Sequence, residues 1–157
     1  MIRQALLLSA CAILTASCSG LWNAANRSAL QADVASILSI DPAQIPMKCA
    51  MIGGTRSGYC VLPADEMQIV AWADRLGLSA RTVSLQDVET VPPLASEGPV
   101  GCLAASTFDG IEGMPAYWIA GRPAALELEG GGQFEYLLLI HDPASASACV
   151  QASYAYG

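Results

Sequence analysis

The sequence predicts an α+β domain: a mainly antiparallel sheet of about five to seven strands, with two helices and two disulfides. Three observations predict it. Apolar residues recur at helical spacing in two segments, 28–39 and 63–76. Several short apolar or alternating stretches lie between Gly, Pro and Asp turn signals, as strands do. An even set of four cysteines, Cys49, Cys60, Cys102 and Cys149, falls among these elements.

The first helix opens on Ser28-Ala29-Leu30-Gln31, which has the form of a capping box. Leu30, Val34, Ile37 and Leu38 follow at the spacing of one helical face. Asp41 caps a further turn with Pro42 inside it, and Pro46 stops it. Segments 47–52 and 59–62 read as strands joined by the glycine-rich stretch 53–58. Pro63 opens the second helix, with Asp65 and Glu66 in its first turn, Arg75 in its last and Gly77 as its stop. Ile69, Val70, Ala73 and Leu76 form its buried stripe, with Met67 and Trp72 beside it. Trp72 reads as a core-edge ring in preference to a ligand-stacking one.

Residues 81–85 are a strand candidate, and 86–99, with three prolines, a surface loop. Segment 100–107 reads as a buried strand of small residues, and 116–120 as another. Segments 124–129 and 133–141 flank Gly130-Gly131-Gly132 and carry a hairpin signature. That hairpin sets Glu127 opposite Glu135, with Glu129 on the same face. On the return strand Phe134, Tyr136, Leu138 and Ile140 share one face, and Leu137 and Leu139 make its middle apolar on both sides. Such a strand belongs inside a sheet. Segment 149–156 is the last strand, with Val150, Ala152, Tyr154 and Tyr156 on one face.

Charge narrows the functional classes. Seven basic residues against fourteen acidic ones give a net charge of −7, so there is no footprint for phosphate and no nucleic-acid partner is expected. No apolar run reaches the length of a mature transmembrane helix. A single histidine leaves few ways to build an imidazole-based site.

The N-terminus reads as an address. Arg3 is the only charge before Arg27, and residues 5–16 are almost wholly apolar, the pattern of a secretory signal. The stretch ends Leu14-Thr15-Ala16-Ser17-Cys18-Ser19-Gly20, which resembles the lipobox of bacterial lipoproteins, although Thr15 stands where that family prefers Leu, Val or Ile. Leu8-Ser9-Ala10-Cys11 also fits the letters, but its apolar stretch is about half the length a signal needs. The resemblance implies a signal peptide over 1–17, a lipidated Cys18 with a tether over 18–27, and one globular domain over 28–157. It further implies palmitate-type acyl chains inserted in a membrane, with the domain in the bacterial periplasm or at the cell surface, the outer membrane favoured. A plain cleaved signal peptide is the other reading of the same residues.

In an exported chain the four domain cysteines are expected to form disulfides. Of three pairings, Cys49–Cys60 and Cys102–Cys149 are expected. The first flanks a hairpin turning at Gly54-Thr55; the second ties the C-terminal strand to a central one. Met47, Cys49 and Met51 share one strand face and present soft sulfur suited to Cu(I), a remote alternative.

No catalytic constellation, cofactor site or metal site is assigned. His141 beside Asp142 has the form of a base and its orienter, a remote hydrolase reading with Ser57, Ser96 or Ser106 as nucleophile, but no Gly-x-Ser-x-Gly elbow presents one. Residues 53–58 lack the Lys-Ser/Thr ending of a phosphate loop. Arg56, Ser57 and Tyr59 form a candidate contact loop, and Thr55-Arg56-Ser57-Gly58-Tyr59 resembles the Ser- and Gly-containing loops of periplasmic lysozyme inhibitors. Glu127, Glu129 and Glu135 form a candidate acidic patch for a basic envelope protein. The functional expectation is an exported, membrane-anchored protein with a non-enzymatic binding or scaffolding role in the cell envelope. The alternative is a periplasmic inhibitor of a basic hydrolase.

Overall fold

The structure, a computed structural model, describes residues 24–52, 56–82, 102, 114–129 and 131–155. The signal and lipidation site, the Gly54-Thr55 turn, the 86–99 loop, Ser96, Ser106, Tyr156 and all of segment 100–107 except Cys102 lie outside the described residues.

Helix α1 covers 24–38, followed by β1 (Lys48–Met51), β2 (Ser57–Pro63), α2 (Glu66–Leu76), β3 (Ser79–Thr82), β4 (Pro115–Ala120), β5 (Phe134–Asp142) and β6 (Ser147–Tyr154). The strands form one antiparallel sheet in the order β1-β2-β6-β5-β4-β3. The chain leaves β2 through α2, crosses to the far edge as β3, and meanders back until β6 closes against β2. This confirms the α+β class, the two helices and the strand count. No described helix is long and apolar enough to cross a membrane.

Both helices cover one sheet face. Leu30, Val34 and Leu38 of α1 and Ile69, Trp72 and Leu76 of α2 pack on Cys60, Leu62, Leu137, Leu139 and Val150. Gly58 admits α1 at close range: a Cβ there would lie 2.4 Å from Leu30 Cδ2 and 2.9 Å from the Ala50 carbonyl oxygen. The opposite face buries a smaller cluster of Cys102, Ala116, Leu138, Ile140 and Cys149.

Several local expectations change. Helix α1 starts before Ser28, because the Ala24-Ala25-Asn26-Arg27 stretch includes good helix formers, so the Ser28–Gln31 box lies inside the helix and caps nothing. Pro63 ends β2 and does not open α2; Asp65 is the N-cap, its carboxylate accepting from Gln68 N–H (2.8 Å) while Gln68 Oε1 accepts from Asp65 N–H (3.0 Å). Gly77 ends α2 in the left-handed region (φ 66°), as expected. The buried stripe is Ile69, Trp72, Ala73 and Leu76. Val70, one residue round the helix from Ile69, is 39% exposed, and Met67 is 80% exposed. Arg75 joins the helix ends, donating to Ile37 C=O (2.8 Å) and to Ser39 Oγ.

The hairpin across the triple glycine shrinks to its turn, closed by Leu128 N–H donating to Gly132 C=O (2.8 Å) and Gly131 N–H donating to Leu128 C=O (3.1 Å). Ala124–Leu126 is a 3₁₀ turn with Leu126 fully buried, and Glu127 makes a single bridge to Gln133. Strand β4 takes the place beside β5, pairing Ala116–Ala120 with Ile140–Tyr136. One flank of a strand accepts one neighbour, so Glu127 does not face Glu135; the Glu135 carbonyl accepts from Gly121 (3.0 Å) and Arg122 (3.4 Å). A bulge between Phe134 and Tyr136 turns Phe134 onto the helical face, away from Tyr136, Leu138 and Ile140. Strand β5 is otherwise interior and buried on both faces, as its composition requires.

Both expected disulfides are present. Cys49–Cys60 crosses the β1–β2 ladder with a Cα–Cα distance of 4.0 Å, and Cys102–Cys149 spans 47 positions. Cys102 is not in a strand: it lies in a 3₁₀ turn against the outer face of the sheet. Gln151, 1% exposed, receives it there. Its Oε1 accepts from Cys102 N–H (3.2 Å), and its Nε2 donates to the Tyr136 hydroxyl (3.2 Å).

Candidate functional site

The outer faces of β1 and β2 and the 143–147 turn enclose a groove of about 510 Å³. Lys48 and Ala50 of β1 line it together with Tyr59, Val61 and Pro63 of β2 and Ser147 of β6. These positions share a face because side chains alternate along a strand and the register sets Lys48 against Val61 and Ala50 against Tyr59. Pro46 and Pro63 punctuate the two strands at the same end, where neither can extend the ladder as a donor. A second hollow of about 370 Å³ adjoins it, sharing Pro46, Pro63 and Ala146.

The turn at the groove's end is held by its own polar groups. Asp142 accepts from Ala144 N–H (2.9 Å) and from the Ser145 hydroxyl (2.5 Å), and Ser145 Oγ lies 2.6 Å from Ser147 Oγ. The Ser145 hydrogen bond is the largest influence holding the Asp142 carboxyl below its ordinary range. Burial opposes it, while the Ala144 and Ser145 N–H groups and the adjacent His141 assist. The serine hydroxyls are thus engaged with a carboxylate and with each other, and no imidazole reaches them among the recorded contacts.

His141 and Asp142 are not arranged as a base and its orienter. Neighbouring strand residues project to opposite faces, and His141 pairs with Ala148, a member of the helical-face core. His141 is 4% exposed, and its Nε2 has no hydrogen-bond partner among the described residues. Ser57 lies five residues from Leu62, the β2 partner of Ala148, or about 17 Å along the strand. Its hydroxyl donates to Ser153 Oγ (3.0 Å). The structure therefore does not bring His141 and Ser57 together. Of the soft-sulfur set, Cys49 is spent in its disulfide, and Met47 and Met51 pack with the helical-face core. Among the described residues no group of three or more His, Cys, Asp or Glu is placed to hold a metal ion.

Of the six contact residues read from sequence, Arg56, Ser57, Glu127 and Glu135 lie toward one end of the sheet, on either side of the end of β6. Ser57 and Tyr136 both pair with Ser153, Tyr154 N–H donates to Arg56 C=O, Ala155 N–H donates to Gln133 C=O, and Glu127 bridges Gln133. Tyr59 is half-buried in the groove. Arg56 is exposed at the start of β2, and Ser57 beside it is buried, 2% exposed. Glu127 and Glu129 are exposed beyond the 3₁₀ turn, and Glu135 is half-buried at the β5 bulge. Lys48, Ser147 and the two bracketing prolines were missed as site residues. The signal available for them was Pro46 and Pro63 flanking a paired-cysteine hairpin.

No family model, curated protein or solved structure matches this chain.

Proposed function

We propose that this chain is an exported lipoprotein of the bacterial cell envelope, anchored through acyl chains on Cys18, with a non-enzymatic binding or scaffolding role. The observation that carries this reading is the use of sulfur. Every cysteine of the folded domain is consumed in one of two disulfides, and the other two, Cys11 and Cys18, lie in or just after the N-terminal apolar stretch. Paired thiols belong to an oxidising compartment, and the apolar stretch supplies a route to it.

The groove beside β1 supports a binding role: it is concave, largely apolar and carries one cationic group, Lys48. The domain faces its partner from a membrane, and the stretch between Cys18 and the start of α1 at residue 24 sets its distance from the lipid. Acyl chains contribute about 0.8 kcal/mol per buried methylene, so a multiply acylated Cys18 holds the domain at the bilayer.

Fractionation of bacterial cells producing the full chain tests the reading. The protein is expected in the membrane fraction, and the Cys18→Ser variant in the soluble periplasmic fraction or as an unprocessed precursor. Equal membrane retention of both chains contradicts anchoring through Cys18.

A further inference from the structure

We propose that β1 is an open docking edge that takes an extended segment of a partner protein as an added antiparallel strand, with a carboxylate at the segment's C-terminal end beside Lys48. The inference deepens the binding role proposed above and rests on it.

The backbone geometry carries the first half. Ile52 N–H donates to Ser57 C=O (2.9 Å), so the backbone of Ile52 points at β2. Backbone direction alternates along a strand, so Lys48 and Ala50 also point at β2, and Cys49 and Met51 point away from it. The Cys49–Cys60 Cα–Cα distance of 4.0 Å agrees, because the close pairs of an antiparallel ladder are those that exchange no hydrogen bonds. No described strand lies beyond β1. Cys49 and Met51 are both partly exposed, and no recorded hydrogen bond uses their outward N–H or C=O groups. Two donors and two acceptors thus stand in strand register on one edge. Such an edge pairs readily with another chain.

The groove supplies the second half. A strand added at β1 carries alternate side chains over the same face as Lys48, Ala50, Tyr59 and Val61, which is the groove side. Tyr59 and Val61 are half-buried there and offer apolar contact to a β-branched residue. Lys48 is the one charged residue of the lining and begins β1. An antiparallel partner ends where β1 begins, so its C-terminal end meets Lys48. A second copy of this chain is the poorer occupant, because each copy carries a net charge of −7.

Amide hydrogen exchange followed by NMR tests this on the full chain, purified from membranes in detergent. The probe is the acetylated peptide Thr-Val-Thr-Val-Thr with a free C-terminal carboxylate. Three companions are its C-terminal amide, an amidated form ending in Asp, and a form N-methylated at the central Thr. Without peptide, the Cys49 and Met51 amides are expected to exchange fast and the Ala50 amide slowly. The free-acid probe is expected to slow Cys49 and Met51 about tenfold or more at millimolar concentration. Amidation and Lys48→Glu each weaken binding about tenfold, and N-methylation abolishes it. Recovery by the Asp-ending amide shows that a side-chain carboxylate suffices; no recovery assigns the contact to a free C-terminus. Met51→Pro removes an outward donor without removing a β2 bond and is expected to lose binding; Lys48→Glu, at an exposed position, provides the test should Met51→Pro unfold. Slow exchange at Cys49 and Met51 without peptide, no slowing with it, or binding indifferent to both N-methylation and Lys48→Glu overturns the proposal. Membrane fractionation of the same preparation reads the anchoring separately, so either claim can fail alone.

Discussion

Tyr154, in the last strand, donates its hydroxyl to Asp33 Oδ2 of the first helix at 2.6 Å, joining positions 121 apart in sequence. The Tyr154 ring also lies 4.9 Å from that of Phe134, so the contact sits at the margin of the core. Burial is the larger cause, and the Asp33 carboxylate the smaller, of a phenol held far above its ordinary ionisation range. The unfolded tyrosine loses its proton near pH 10 and the folded one does not. Above that pH the unfolded state binds fewer protons, so this contribution is present below pH 10 and declines as pH rises further. Tyr154→Phe is expected to cost about 1 kcal/mol at neutral pH and to flatten the alkaline limb. Chemical denaturation between pH 8 and 11 checks both.

Asp142 governs the acid side. Its carboxyl is held below the ordinary 3.8, chiefly by the Ser145 hydroxyl. Its contribution is present above that ordinary value and is lost as pH falls below it through the folded value. Ser145→Ala is expected to reduce the loss of stability on acidification. Asp142→Asn is expected to cost about 1 kcal/mol at pH 7 and to remove that dependence. Thermal melts from pH 2 to 7 read the difference.

Gly58 sets the distance between α1 and the sheet. With Leu30 Cδ2 2.4 Å from the site of an added Cβ, Gly58→Ala is expected to destabilise by about 1–3 kcal/mol. Leu30→Ala vacates that space, so the double variant is expected to lose less than the sum of the single losses. A double-mutant cycle in urea measures the coupling.

The two disulfides differ in the loop they close. Cys102–Cys149 closes 47 positions and Cys49–Cys60 only 11, which corresponds to about 4 and about 3 kcal/mol in the chain-entropy model. Replacing both cysteines of the longer bridge with Ala is expected to lower the melting temperature further than replacing those of the shorter one.

Much of this fold was legible because its signals are local. Apolar period marked α1 and α2, Gly77 marked a helix end, and a strand apolar on both sides placed β5 inside the sheet. The Cys49–Cys60 pairing followed from hairpin geometry; Cys102–Cys149 was expected to tie the last strand to a central one, and the bond is present although Cys102 lies in a 3₁₀ turn. Competition between strands was not legible. The 124–129 segment carries a hairpin's composition, yet β4 outcompetes it for the flank of β5, and Pro123 leads into a 3₁₀ turn that buries Leu126. The bulge at Glu135, which turns Phe134 into the core, has no strong sequence mark either. Of the candidate site, only Tyr59 was anticipated. Lys48 and Ser147, 99 positions apart in the chain, come together through the β1–β2 and β2–β6 pairings, which no local pattern announces.

Intact mass of the unreduced protein taken from native bacterial membranes tests the central claim most directly. The account predicts a chain beginning at Cys18, heavier by its acyl groups and lighter by four hydrogens for two disulfides. A full-length chain beginning at Met1, with every thiol free and no lipid, contradicts it.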